Sequence, residues 1–397
     1  MNTRRQLLRL ALGAGAGWPW ARLSLAQGAA TAGTAPRFVF VMLRGGMDGL
    51  TAVPAVGDPA FAEARGALGQ FAGDPLPLQG PFALHPLLPQ LHALFGRGEM
   101  AVLHAVGLPY RERSHFDAQQ VLESGGSRPH EISTGWLGRA LAARGGGLAP
   151  IKAVALETAV PLVLRGPVEV DTWAPSTLPD PDSDLVARLE MLYQADAALG
   201  QALSRARSLR AEPGMADGLS GRAGAGRNAA QALAAKAAEF LQRGSQVAVL
   251  EMGGWDSHAN QAAPGGATAN NLRTLDAALA ALHQGLQAGG LWQRSVVLVA
   301  TEFGRQVSIN GTQGTDHGSG GAALLLGGAV RGGQVVSDWP GLAARDRFEG
   351  RDLRITTDLR AVWRCILDQH LRVDRVALDT RVLPGSATLP RLDLLRG

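Results

Sequence analysis

The sequence predicts an α/β fold, a mainly parallel sheet covered by helices on both faces. Three observations point there. Short apolar runs alternate along the chain with helical patterns. The runs are continuous and rich in β-branched residues, as strands buried on both faces must be. Glycine-rich polar clusters follow the runs, at the sheet edge where open α/β sheets bind ligands.

In chain order, Phe38–Leu43 reads as the first strand, ending at Arg44-Gly45-Gly46. Met100–Val106 and Ile151–Leu156 follow. Gln246–Met252 and Ser295–Thr301 are the clearest, and Ala322–Leu326 completes the set. Helical periodicity covers 86–96, 115–123, 135–143, 184–211, 228–243, 269–288 and 357–370. Two stretches break the rhythm: a proline-rich loop at 171–183 and a glycine-rich linker at 213–227. The region of about 160–228 therefore reads as a helical cap or insertion beside the sheet.

The N-terminus carries an export signal. Thr3-Arg4-Arg5-Gln6-Leu7-Leu8 has the twin-arginine pattern, and a glycine-diluted apolar stretch runs from Leu10 to Trp20. That stretch is shorter than the about 20 residues a bilayer span needs. Ser24 and Ala26 supply a small-residue cleavage site, so residues 1–26 are a signal peptide and the rest is exported to the periplasm or beyond. The net charge of +4 belongs to this leader, whose four arginines stand without an acid. The remainder balances 34 basic against 34 acidic residues. No basic run or aromatic-basic stripe supports nucleic-acid binding, and no membrane span follows the leader. Cys365 is the single cysteine, which rules out an internal disulfide, and its helical setting reads as a small buried hydrophobe.

Five polar clusters carry the candidate chemistry. Arg44 and Asp48 follow the first strand, Arg44 as an anion ligand and Asp48 at the mouth of the sheet. Ser114 and Asp117 fit a helix-capping pair, while capping leaves His115 unexplained. Asp256 and His258, two residues apart after a strand, suit a mixed oxygen and nitrogen metal site. Such donors favour zinc, manganese or non-haem iron over calcium. Glu302 ends the strongest strand and needs a partner, either Arg305 or a cation. Asp316 and His317 stand in a glycine-rich loop.

Together these segments resemble the exported family labelled domain of unknown function fifteen hundred and one. The resembling segments are LRGGMDGL at Leu43–Leu50, SHFDAQ at Ser114–Gln119, GWLGR at Gly135–Arg139, GGWDSHANQ at Gly253–Gln261, TEFGR at Thr301–Arg305, GTDHG at Gly314–Gly318 and SDWPGL at Ser337–Leu342. That family is similar to the alkaline phosphatase and sulfatase superfamily. The resemblance implies a mixed sheet between helices, with metal ligands on loops after successive strands. It implies Asp48, Asp256, His258, Glu302, Asp316 and His317 as ligands of a divalent ion, zinc or manganese. Phe303 departs from the Asp-His pair usual there, and the absence of a Cys-x-Pro-x-Arg motif excludes a formylglycine sulfatase.

Two functions stay open. One is an exported metal-dependent hydrolase of phosphate or sulfate esters, with Ser114 or water as nucleophile, His115 as acid/base or ligand, and Arg44, Arg113 or Arg305 holding the anion. The other is a non-catalytic scaffold binding a metal, a glycan or a companion exported protein. Both involve the twin-arginine translocase during export.

Overall fold

A computed structural model describes residues 35–144, 151–175, 183–211 and 227–397. The leader, with its twin-arginine pattern, and nearly all of the 213–227 linker lie outside the described residues.

The strands are β1 (Arg37–Leu43), β2 (Leu76–Pro77), β3 (Ala83–Leu84), β4 (Met100–Gly107), β5 (Ala153–Ala155), β6 (Val170–Thr172), β7 (Val247–Met252), β8 (Ser295–Thr301), β9 (Gly321–Leu326), β10 (Gln334–Val336) and β11 (Thr357–Asp358). Nine of them form one sheet in the order β10-β4-β9-β8-β1-β7-β5-β6, with β11 also paired to β4. Only β9 runs antiparallel to its neighbours β4 and β8, so the sheet is mixed and mainly parallel. All six strands read from the sequence are present. The five strands beyond them, β2, β3, β6, β10 and β11, are two or three residues long, too short to show a period.

The helices are α1 (Gly49–Ala52), α2 (Phe61–Arg65), α3 (Pro89–Gly96), α4 (His115–Ser124), α5 (Trp136–Ala142), α6 (Ser183–Tyr193), α7 (Ala197–Ala211), α8 (Arg227–Gln242), α9 (Ala267–Ala288) and α10 (Leu359–Cys365). The single helix expected over 184–211 is two. Asp196 breaks it by accepting the N–H groups of Ala198 and Leu199, which starts a new helix. The pattern expected from 357 starts two residues later, because Asp358 takes the Arg360 N–H as a cap.

Side-chain alternation along β1 divides the interior into two layers. Val39, Val41 and Leu43 join the layer packed on α3, α8 and α9. Phe38, Phe40 and Met42 join the layer packed on α4, α5 and α10. In the second layer Trp136 meets the Phe40 ring edge-on at 5.6 Å and stacks on Trp363 at 4.9 Å. Cys365 is buried there, and burial pushes its thiol up to about 11, as suits a packing residue. Among the described residues no helix is long and apolar enough to cross a membrane.

β4 carries a bulge between His104 and Val106, with Ala105 at φ 53. His104 Nδ1 accepts the Ala105 N–H at 2.8 Å, and Nε2 donates to the Val53 carbonyl at 2.9 Å. Both nitrogens are thus committed to the neutral ring, which stacks on Phe82. Burial pushes the His104 pKa down to about 4. Between the unfolded value near 6.5 and 4, the unfolded chain takes up a proton that the folded chain refuses. Stability is therefore complete above that window and falls as pH drops through it, by roughly 3 kcal/mol at its lower end. Thermal unfolding from pH 7.5 to 4.5 is expected to show this slope, and His104→Gln to flatten it. Parallel slopes for the two proteins would refute the assignment.

Candidate metal centre

The site is built where β1, β7 and β8 end flush, with Leu43 opposite both Met252 and Thr301. β4 runs the same way, and β9 begins at the same edge because it is antiparallel. The loops that follow β1, β4, β7 and β8, and the one before β9, therefore share one rim. Their approach is close. Gly45 has φ 118, and a Cβ there would sit 2.4 Å from the Asp256 nitrogen. At Gly314 a Cβ would meet the His258 carbonyl carbon at 2.3 Å.

Three imidazoles and a carboxylate converge on this rim. His317 Nε2 lies 3.0 Å from His115 Nε2 and 3.1 Å from His258 Nε2. Asp256 Oδ1 lies 3.1 Å from His317 Nε2, 3.3 Å from His115 Nε2 and 2.9 Å from His258 Nε2. The four atoms form two triangles sharing the Asp256–His317 edge. Ligands about 2.1 Å from one ion stand about 3 to 3.5 Å apart; His115, Asp256 and His317 form such a mutually close group, and His258 adjoins it along the Asp256–His317 edge.

The outer ring nitrogens fix the tautomers. His115 Nδ1 donates to Glu302 Oε1 at 2.8 Å, and His317 Nδ1 donates to the Arg113 carbonyl at 3.0 Å. His258 Nδ1 faces Asp316 Oδ1 at 3.4 Å. Each ring then turns its Nε2 toward the Asp256 Oδ1 oxygen. Four electron-rich atoms at 3 Å repel unless a cation stands among them. Their mixed nitrogen and oxygen character fits zinc, manganese or iron.

Electrostatics agree with that arrangement. Burial raises the Asp256 carboxyl, but the bond and charge of Arg305 overcome this and hold it well below the usual range. The Glu302 hydrogen bond raises the His115 pKa, while burial and the charge of His115 lower that of His317. Phe303 packs at 4.7 Å from the His115 ring and 5.1 Å from that of His317, an apolar backing for both.

Asp256, His258 and His317 thus supply donor atoms, together with His115, which the sequence left between ligand and acid/base. The other candidates stand elsewhere. Asp48 Oδ2 accepts from Arg65 and Gln261, both at 2.5 Å, and from Thr51 Oγ1 at 2.8 Å. Its Oδ1 caps α1 through the Leu50 and Thr51 N–H groups. Every lone pair is used, so the structure corrects Asp48 from ligand to buried ion-pair partner. Glu302, 1% exposed, accepts from His115, Gln119 and the Gly45 N–H through Oε1, and from Thr301 through Oε2. It stands behind His115 instead of in the donor set. Asp316 likewise stands behind His258 and also accepts from Asn310.

The arginines are spent on the protein itself. Arg44 binds both oxygens of Glu251 and one of Glu123, which holds its pKa up. Arg113 binds Glu349 and Asp352. Arg305 pairs with Asp256 at 2.7 Å, not with Glu302, and donates to the carbonyls of Gly45, Gly46, Trp255 and Thr315. Ser114 occupies the N-cap position of α4 without a side-chain capping bond; its hydroxyl bonds that of Tyr110, which donates to Asp117. The expected capping pair is therefore replaced by a Ser114–Tyr110–Asp117 chain. The sequence assigned no role to Arg65, Glu123, Glu251 or Gln261, although Gln261 closes the GGWDSHANQ segment.

A family model described as "Protein of unknown function (DUF1501)" matches residues 47–362. None of the curated proteins matches the chain. Among solved structures, the PsFucS1 sulfatase from Pseudoalteromonas sp. is similar at TM-score 0.40 and 14% identity, over 94% of this chain and 74% of that one. A protein in the alkaline phosphatase superfamily from Vibrio parahaemolyticus is similar at TM-score 0.38 and 11% identity, over 74% of this chain and 60% of that one. For the lipoteichoic acid synthase LtaP from Listeria monocytogenes the TM-score is 0.35 and the identity 11%, over 78% and 68%.

Proposed function

The chain belongs to the DUF1501 family, and from that premise we propose that it is an exported, metal-dependent hydrolase of phosphate or sulfate esters. One observation carries the reading: on the rim of the sheet His115 Nε2, His317 Nε2 and Asp256 Oδ1 lie within 3.3 Å of one another, and His258 Nε2 lies within 3.1 Å of the latter two. Bound there, a zinc or manganese ion supplies Lewis acidity toward an ester oxygen and acidifies water.

His115, His258, His317 and Asp256 hold the ion. Glu302, Asp316 and the Arg113 carbonyl keep the three rings in the ligating tautomer. The N-terminus of α4 begins at His115 and favours an anionic group beside the centre. Ser114 is tied through Tyr110 to Asp117 and not to an imidazole, so we assign the attack to water. The twin-arginine leader assigns export through that translocase to the periplasm, and the Ser183–Ala211 helices are read as part of a cap.

The engagement of Arg44, Arg113 and Arg305 favours a second reading, because none of them is free to clamp an anion. On that reading the same centre is a non-catalytic scaffold for a glycan or a companion exported protein. Metal analysis of the protein purified without its leader is expected to find about one zinc, manganese or iron per chain. The double variant Asp256→Ala/His258→Ala is expected to lose it. Wild type with no stoichiometric metal sinks both readings, and metal without turnover on a panel of phosphate and sulfate esters favours the scaffold.

A further inference from the structure

We propose that Asp48 is a positioning residue that aligns two metal-bearing loops through one buried hydrogen-bonded network, without touching the ion. The inference rests on the metal-centre reading above. Its basis is where the partners of the carboxylate sit.

Gln261 lies three residues after His258 and gives its amide to Asp48 Oδ2 at 2.5 Å and to Thr51 Oγ1 at 3.0 Å. The other end of the same amide accepts from Thr315 Oγ1 at 2.8 Å, two residues before His317. Asp48 is thus one side chain away from each of two ligand loops. Arg65, its ion-pair partner, also donates to the Val307 carbonyl at 2.9 Å. The neighbouring Gln306 N–H donates to the carbonyl of Asp316, the residue behind His258 and next to His317. On the chain side, Asp48 follows the Gly45–Gly46 turn, whose carbonyls bind Arg305, and Arg305 holds Asp256.

The network is 0 to 6% exposed at Asp48, Thr51, Arg65, Gln261 and Thr315, so water cannot replace a lost bond. A carboxylate is required at its centre. An amide at position 48 would present an N–H toward the Arg65 or Gln261 donors, and the network would open where the loops join. A role confined to fold stability would need none of the partners to lie beside a ligand. Here the links lead to His258, His317 and Asp256 by separate routes.

Thr315→Val is the cleaner test, since it removes one hydroxyl and leaves the Asp48–Arg65 pair intact. The probe is cobalt(II) loaded into the protein without its leader. The readouts are the visible spectrum of the bound cobalt, its affinity in competition with a chromophoric chelator, and the Tm of the metal-free protein. Thr315→Val is expected to weaken cobalt about tenfold and alter the spectrum, and to lower the Tm only by the cost of one unmet buried acceptor. Thr315→Ser, which keeps the hydroxyl, restores both. Asp48→Asn is expected to weaken cobalt further and to lower the Tm. Wild-type affinity and spectrum in Thr315→Val and Asp48→Asn, with only the Tm changed, would overturn the inference. Wild type that takes up no cobalt overturns the metal-centre reading itself.

Discussion

Arg305→Met is expected to destabilise the metal-free protein by about 3 kcal/mol or more, because three buried carbonyls lose their donor at about 1 to 3 kcal/mol each. The Arg305 side chain is 1% exposed and donates to Asp256 and to four carbonyls on three different loops. Methionine fills much of the volume, so the loss reports unmet acceptors instead of a cavity. Gly45, Gly46 and Thr315 would each keep a buried carbonyl facing no donor, while that of Trp255 keeps the Ser257 N–H. Lysine retains the charge but not the planar fork, and one ammonium cannot reach acceptors spread around the guanidinium. Arg305→Lys is therefore expected to recover only part of the loss. Urea unfolding of the chelator-treated proteins measures both, and a cost below about 1 kcal/mol for Arg305→Met contradicts the clamp.

The same residue shows where sequence reading reaches its limit. The six strands read from the sequence were legible because a strand buried on both faces is written as a continuous apolar run, even where, as at β5, only three residues of the run pair. The direction of β9 was not, since periodicity carries no sign. The split at Asp196 was hidden inside an unbroken helical pattern, and β6, β10 and β11 are shorter than any period. At the site, glycine-rich turns after strands marked Asp256, His258 and His317 and placed them on one rim. Roles were harder. Whether a carboxylate ligates an ion or supports a ligand depends on which distant donor reaches it first. Arg65 stands 17 residues from Asp48, and Arg305 stands 49 from Asp256. The resemblance to a superfamily of metal hydrolases therefore pointed to loops that share one rim, but gave Asp48 and Glu302 ligand roles that their hydrogen bonds do not leave open.

Glu302→Gln is expected to weaken metal binding 10- to 100-fold, the usual cost of losing a carboxylate behind a ligating histidine. Glu302 and His115 are separated by 187 residues and meet at 2.8 Å. Glutamine is nearly isosteric there. Its carbonyl can occupy the Oε1 position and keep the bonds from His115, Gln119 and the Gly45 N–H, while its amide faces Thr301 Oγ1. What disappears is the charge, and with it the basicity that the carboxylate lends to the His115 lone pair. Hydrogen bonding to Glu302 is the largest influence raising the His115 pKa, so the ring should lose both proton affinity and metal affinity. Because the bonds persist, the metal-free Tm should move little, and the ratio of the two effects separates this role from packing. Competition with a chelator at fixed pH reads the affinity, and differential scanning of the metal-free protein reads the Tm. Unchanged affinity would mean that His115 does not ligate, leaving Asp256, His258 and His317 as the whole donor set.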